Sequence, residues 1–234
     1  MHLTQKSIKI GNKIRKIVLC PPDFKESYYR KHVELSNLFE ENPFCEYVHC
    51  RIGRSVISNA KPHIGFTFTL KMDLKNFFYN ITVDSHGQYI PKEYHRFVFY
   101  RGRVPQGLPT SPSVANLAFA VCDKQIAEFC KKKKVIYTRY CDDLSFSFND
   151  YTLADQLKKK VSDIVSGEAH KINTRKTKLL YAKAGRRIIC GVGVGETKLH
   201  ATRKSKRNLR TYKKNGQELA AQGMQAWINY CESE

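Results

Sequence analysis

Three stretches of the chain alternate apolar and polar residues with period two, the spacing of a strand with one buried face. In the first, residues 6–17, isoleucines interleave with lysine and arginine around Gly11-Asn12, which predicts a two-stranded hairpin with a basic face. The second, residues 66–73, ends at Asp73, so the strand delivers a carboxylate at its tip. The third, residues 135–148, has strand-type residues on both sides of Asp142-Asp143 and predicts a hairpin with that acidic pair at its tip. Helical spacing replaces alternation elsewhere. Residues 25–41 read as a helix. So does the run from Pro112 to Lys134, where Val114, Leu117, Ala118, Val121, Ile126 and Phe129 share a stripe and Pro112 suits the first turn. Residues 153–165 form an amphipathic helix, and 219–230 a short apolar one. Residues 178–181 and 187–194 read as strands flanking the Ala184-Gly185 turn. Residues 198–214 hold eight lysines and arginines and no acid, at spacings a helix presents on one side.

Composition narrows the class. The 234 residues are 41% hydrophobic, enough for a real core, and no linker, repeat or low-complexity tract divides them. Lys and Arg number 41 against 21 Asp and Glu, a net charge of +20, which points to a polyanionic partner, nucleic acid before membrane. Apolar runs such as residues 64–70 are far short of the roughly 20 residues that span a bilayer, and the first residues lack the plan of a secretory signal. The expectation is a cytoplasmic protein with no membrane association. Eight scattered cysteines without a Cys-x-x-Cys pair argue against a disulfide framework or a zinc ribbon. Cys45, His49 and Cys50 read as a buried patch.

Against this positive charge, three aspartates at strand ends form a conflict that asks for an explanation. Adjacent carboxylates repel, and a tight turn tolerates two of them in water or with cations bound. Oxygen ligands at Asp73 and Asp142 suit Mg²⁺, which takes one or two protein carboxylates and completes its shell with water and substrate phosphates. Two such ions clamp the attacking hydroxyl and the leaving pyrophosphate of a nucleotidyl transfer. With 13 tyrosines and nine aspartates in the chain, chance accounts for about 0.02 occurrences of Tyr-x-Asp-Asp.

Tyr140-Cys141-Asp142-Asp143 is that box, and with it the chain resembles the reverse transcriptases. Met72-Asp73-Leu74-Lys75-Asn76-Phe77-Phe78 matches the box carrying the first aspartate, and the segment from Val104-Pro105-Gln106-Gly107 to Pro112, followed by Asn116-Leu117, matches the Pro-Gln-Gly box. Asn173 to Thr177 resembles the lysine box, and Gly11 to Ile17 the fingers hairpin. The order holds from about residue 9 to about 212. Within the family the chain is similar to bacterial retron enzymes, through Asn59-Ala60-Lys61-Pro62-His63 and the wording of its Pro-Gln-Gly box. It departs from them at Ile189-Cys190-Gly191, where Val-Thr-Gly is usual, and at Cys141, where alanine is usual.

The resemblance implies an α+β right-hand polymerase fold with an antiparallel palm sheet, fingers and a reduced thumb. Residues 1–194 would be interleaved fingers and palm, and 195–234 a short basic thumb. Asp73 and Asp142 would bridge two Mg²⁺ ions, with the Leu74 carbonyl and Asp143 as further ligands. Phe78 would lie under the sugar of an incoming deoxynucleoside triphosphate and exclude a 2′-hydroxyl, while Gln106 braces the base pair or template. Arg15 would grip the triphosphate with two parallel hydrogen bonds. Lys176 would neutralise the leaving pyrophosphate. Asn59 and His63 would either contact RNA or fix a loop beneath the fingers. Arg203, Lys204, Lys206, Arg207 and Arg210 would hold RNA phosphates from a thumb helix. The implied partners are a structured noncoding RNA, primed from a 2′-hydroxyl and copied into a branched RNA–DNA product, and an effector protein of anti-phage defence. The alternatives are a reverse transcriptase of an intron or another defence group, and a non-catalytic RNA-binding scaffold.

Overall fold

A computed structural model describes residues 3–11 and 13–233; Asn12 of the expected hairpin turn lies outside the described residues, as do Met1 and His2. The first alternating stretch forms β1 (Thr4–Ile10) and β2 (Lys13–Leu19), paired antiparallel with Ile8 opposite Arg15. Helix α1 (Lys25–Glu40) follows, then α2 (Val56–Ala60), whose start is fixed by a reciprocal cap between Ser55 and Ser58. Strand β3 (Phe68–Asp73) leads into three one-turn helices, α3 (Phe77–Asn80), α4 (Val83–His86) and α5 (His95–Val98). The long helix α6 (Ser111–Lys132) has Pro112 in its first turn, where a missing N–H costs nothing. It feeds the hairpin β4 (Ile136–Tyr140) and β5 (Asp143–Phe148), then α7 (Leu153–Gly167) and β6 (Lys178–Tyr181).

These strands make a four-stranded antiparallel sheet of order β4-β5-β3-β6. Its two faces differ as period-two alternation requires. Leu70, Met72, Leu144, Phe146 and Phe148 point toward α6 and α7 and bury a core with Phe119, Ile126, Leu157 and Val161. Thr69, Thr138, Ser145 and Ser147 are buried on the opposite face, a polar layer under α2 and the strands that follow. The carboxylates belong to this second face, so the helices carry the weight of packing and leave the other side for chemistry.

The stretch read as one strand over 187–194 is two strands, which corrects the sequence reading. β7 (Arg187–Ile189) and β8 (Val192–Val194) are separated by Cys190 and Gly191, both left-handed, at φ 45° and 83°. Two consecutive positive φ values make the two-residue hairpin turn, and a cysteine in the first position is not its usual signature. The basic run is also divided. β9 (Leu199–Ala201) pairs with β8, and only then does α8 (Arg203–Lys214) begin, capped by Thr202, with α9 (Glu218–Ser233) after it. These three strands share a second core with α2, α8 and α9, built on Ile57, Ile189, Val192, Leu199 and Ile228. The expected boundary at residue 194 therefore falls between two strands that pair with one another.

Candidate active site

Antiparallel register sets Asp73 directly opposite Asp143, and Asp143 opposite Tyr140, so one sheet end carries all three carboxylates. Asp142 occupies the β4–β5 turn, whose first residue, Cys141, is left-handed at φ 56°. The turn is stitched to β3 by the Leu74 N–H donating to the Asp142 carbonyl at 2.9 Å. Asp73 is only 8% exposed. Asn173 donates to it twice, from its backbone to the carbonyl at 2.7 Å and from Nδ2 to Oδ2 at 3.2 Å, while Lys176 Nζ donates to Oδ1. Burial, and then the charges of Asp143 and Asp73, push the Asp142 carboxyl above the usual range, as expected where like charges converge. The Asp73 contact holds Lys176 above its ordinary value, so its ammonium stays charged.

What holds this turn is a buried ion pair that the sequence reading missed. Arg139 is fully buried and forks onto Asp123 of α6, Nε to Oδ1 at 2.9 Å and Nη2 to Oδ2 at 2.6 Å. Its third nitrogen, Nη1, donates to the Cys141 carbonyl and to Asn116 Oδ1, both at 3.1 Å. The guanidinium lies 4.9 Å from the Phe119 ring, and Tyr137 adds a hydrogen bond to Asp123 at 2.7 Å. The strained Cys141 conformation is thus fixed from below. The available signal was an arginine inside an apolar strand together with Asp123 and Asn116 inside an otherwise apolar helix stripe: buried charges demand partners.

Around this centre the other expected residues divide. Phe78 is half-buried at the edge of the core beside Phe77, their centroids 5.6 Å apart. The Gln106 carbonyl accepts from the Val18 N–H at 2.7 Å, joining the Pro-Gln-Gly loop to β2. Gly107 is required there: a Cβ would meet the Val18 carbonyl at 2.6 Å, and φ is 106°. Arg15 is exposed on β2. Leu74 is buried and bridges to Ile172.

One pair of alternatives is narrowed and one expectation corrected. Asn59 and His63 are both 0% exposed, so neither is a surface contact for RNA. His63 joins the two strands of the hairpin, Nδ1 to Ser147 and Nε2 to Thr138, each at 2.8 Å, and burial lowers its pKa to about 3. Asn59 Nδ2 reaches Cys190 Sγ at 3.5 Å, and that thiol lies 3.7 Å from Asp143 Oδ2. The pair is a brace inside the polar layer. On α8, Arg203, Lys204, Arg207 and Arg210 are exposed, but Lys206 is half-buried and bonded to Glu232 of α9 at 2.7 Å, so it is a clamp between helices. His49 of the expected cysteine–histidine patch is buried and hydrogen-bonded to Ser58, and among the described residues no three His, Cys, Asp or Glu side chains are gathered as a metal cage.

The chain is similar to known proteins in both sequence and fold. The family described as reverse transcriptase (RNA-dependent DNA polymerase) matches residues 7–209. Retron Ec86 reverse transcriptase of Escherichia coli is 30% identical over 166 residues, covering 67% of this chain and 52% of that protein. Retron Mx65 reverse transcriptase of Myxococcus xanthus is 29% identical over 172 residues, covering 62% and 40%. The chain spans about half the length of the curated relatives it matches. Among solved structures, telomerase from Candida albicans, in complex with a fragment of telomeric RNA, superposes with a TM-score of 0.65 at 13% identity over 90% of this chain and 50% of that one. A foamy viral protease–reverse transcriptase bound to double-stranded DNA gives 0.57 at 16% identity over 90% and 32%. Both likenesses support the right-hand polymerase fold.

Proposed function

The chain belongs to the reverse transcriptase family, and from that premise we propose that it adds deoxynucleotides to a primer hydroxyl on an RNA template. The observation that carries this is the convergence of Asp73, Asp142 and Asp143 at one sheet end, with Lys176 and Asn173 bonded to the first of them. The donor set is all hard oxygen and partly solvent-facing, and burial, with the neighbouring charges of Asp143 and Asp73, raises the Asp142 pKa. This fits Mg²⁺ bound through carboxylates and completed by substrate phosphates. When bound, a pair of such ions acidifies the primer hydroxyl and offsets charge on the leaving pyrophosphate.

The chain's own groups do the rest. Asp73 and Asp142 would hold the ions, with Asp143 and the Leu74 carbonyl as further oxygens. Lys176, charged and half-exposed beside Asp73, would be within the site to neutralise the departing pyrophosphate. Phe78 excludes the 2′-hydroxyl by contact, and Gln106 supports the base pair from a loop fixed to β2. Arg15 grips the triphosphate.

By likeness to the retron enzymes of Escherichia coli and Myxococcus xanthus, the proposed template is a structured noncoding RNA primed from a 2′-hydroxyl, with the branched RNA–DNA product serving anti-phage defence beside an effector protein. The basic fingers and thumb stretches and the absence, among the described residues, of a helix able to cross a membrane accord with a cytoplasmic bacterial enzyme. Primer extension on a primed RNA tests the reaction. Wild type extends the primer, and Asp142→Asn, with unchanged circular dichroism and RNA affinity, loses at least a hundredfold in rate, on the order of the barrier change when charge stabilisation is removed. Extension by the variant at the wild-type rate refutes the assignment.

A further inference from the structure

Residues 48–50, shortly before α2, run beside the end of β4. Val48 bridges Arg139 in parallel, and the His49 N–H donates to the Arg139 carbonyl at 2.8 Å. Carried two residues further along both segments, this register brings Cys50 alongside Cys141, the left-handed residue of the β4–β5 turn. Neighbouring strands lie roughly 4.8 Å apart, inside the roughly 4.4–6.8 Å between Cα atoms that a disulfide spans. The side chains meet there: hydrogen bonding between the two thiols lowers the pKa of Cys50 and raises that of Cys141, its donor. One buried unit holds both backbones. Asn116 Nδ2 donates to the Cys50 carbonyl at 3.0 Å; Arg139 Nη1 donates to Asn116 Oδ1 and to the Cys141 carbonyl, both at 3.1 Å. Cys50 and Cys141 are each partly exposed. The nearest other thiols are engaged elsewhere, Cys45 with the Glu40 carbonyl at 3.7 Å and Cys190 with Asn59 and Asp143.

Two accessible thiols fixed in register are open to a reaction that neither undergoes alone. We propose that Cys50 and Cys141 form a reversible oxidation site, closed into a disulfide by a peroxide, which ties the turn carrying Asp142 to the segment before α2. Cys50, the more readily deprotonated of the two, attacks one peroxide oxygen; the O–O bond breaks, the second oxygen leaves as water with the thiol proton, and a sulfenic acid remains on Cys50. The Cys141 sulfur then attacks the Cys50 sulfur. The S–O bond breaks, the S–S bond forms, and the hydroxyl leaves as a second water with the Cys141 proton. Two thiols are oxidised and one peroxide is reduced, and a dithiol reductant reverses the bridge by exchange. In a compartment kept reducing, such a bridge forms only under oxidation. Bonding draws the sulfurs closer than thiol contact, and the pull falls on the residue next to Asp142. The bridge is independent of the polymerase reading; only its effect on primer extension rests on it.

The test uses the full chain, reduced and then exposed to hydrogen peroxide. Free thiols are alkylated, the protein is digested without reductant, and crosslinked peptides are mapped by mass spectrometry. A Cys50–Cys141 peptide is expected, and it disappears with dithiothreitol. Primer extension falls on the order of tenfold or more as the bridge forms, because a displacement of about 1 Å near reacting groups costs at least that much, and it returns with dithiothreitol. Cys50→Ser extends like wild type when reduced and keeps its rate under peroxide, whereas Cys45→Ser loses it as wild type does. If Cys50→Ser does not fold, Cys141→Ala serves through the map, with Cys50 then recovered as a sulfenic acid trapped by dimedone. Separate sulfinic acids on the two cysteines of wild type, a bridge from either to Cys45 or Cys190, or a Cys50→Ser variant as sensitive to peroxide as wild type overturns the proposal. A wild type without primer extension refutes the polymerase reading, and the peptide map still decides the bridge.

Discussion

Phe77 and Phe78 are neighbours in sequence with different surroundings. Phe77 is buried edge-on against Phe119 at 5.5 Å and beside the His170 ring, so truncating it to alanine costs about 3–5 kcal/mol in folding. Phe78 packs only at the core's rim, so a smaller side chain there changes selection before stability. Phe78→Val is expected to raise the ribo-to-deoxynucleotide ratio of kcat/KM by roughly tenfold or more, and an unchanged ratio in the folded variant places the sugar gate elsewhere. Arg139 is a residue-scale case of the opposite kind. Arg139→Met leaves Asp123 charged and buried and frees the Cys141 carbonyl, at a cost of about 3–5 kcal/mol by urea unfolding. Adding Asp123→Leu recovers much of that loss if the penalty is the stranded charge. No recovery assigns the cost to the turn instead.

At the scale of elements, legibility followed local pattern. The β4–β5 hairpin was readable because alternation and an acidic pair mark strands and tip within a few residues, and α6 because its stripe begins at a proline that suits a first turn. The β7–β8 turn was not, because Cys190 adopts a conformation usually signalled by asparagine or aspartate. For Asn59 and His63 the sequence left RNA contact and a loop brace both open, for a different reason. Polar residues default to the surface, and the partners that satisfy His63 lie 75 and 84 residues away, set by sheet register that no local window contains. Likewise Glu232, which takes Lys206 out of the basic face, is in the last helix. The consequence for α8 is measurable. Replacing Arg203, Lys204, Arg207 and Arg210 with glutamine is expected to weaken RNA binding and lower the log–log salt slope by roughly 0.7–0.9 for each phosphate contact removed. Lys206→Gln leaves the slope unchanged. A slope indifferent to the four exposed residues, or sensitive to Lys206, reverses the assignment of that face.

At the scale of the whole molecule, a chain of charge +20 has put its three converging aspartates on the polar side of a sheet, and the same choice has buried imidazoles. His63 in the polar layer, His49 beneath β4 and His170 against His86 are each less than 5% exposed. Burial lowers their pKa values to about 3, 4 and 3, with neighbouring positive charges adding to the effect. In the unfolded chain these groups return to about 6.5. Between those limits the unfolded state binds more protons, so their contribution to stability is complete above pH 6.5 and is lost as pH falls toward 3. From pH 8 to pH 5 each group gives up roughly 2 kcal/mol, offset in part by Asp142, whose raised pKa acts in the other sense. The urea midpoint should therefore drop steeply between pH 7 and pH 5, before most carboxylates titrate. His63→Gln should flatten that drop, since it keeps hydrogen-bonding capacity between β4 and β5 without a proton to gain. A midpoint level across that window would mean that the imidazoles take up protons at the same pH in the folded chain as in the unfolded one, so that the layer beneath the carboxylates gains positive charge below about pH 6.5 without opening.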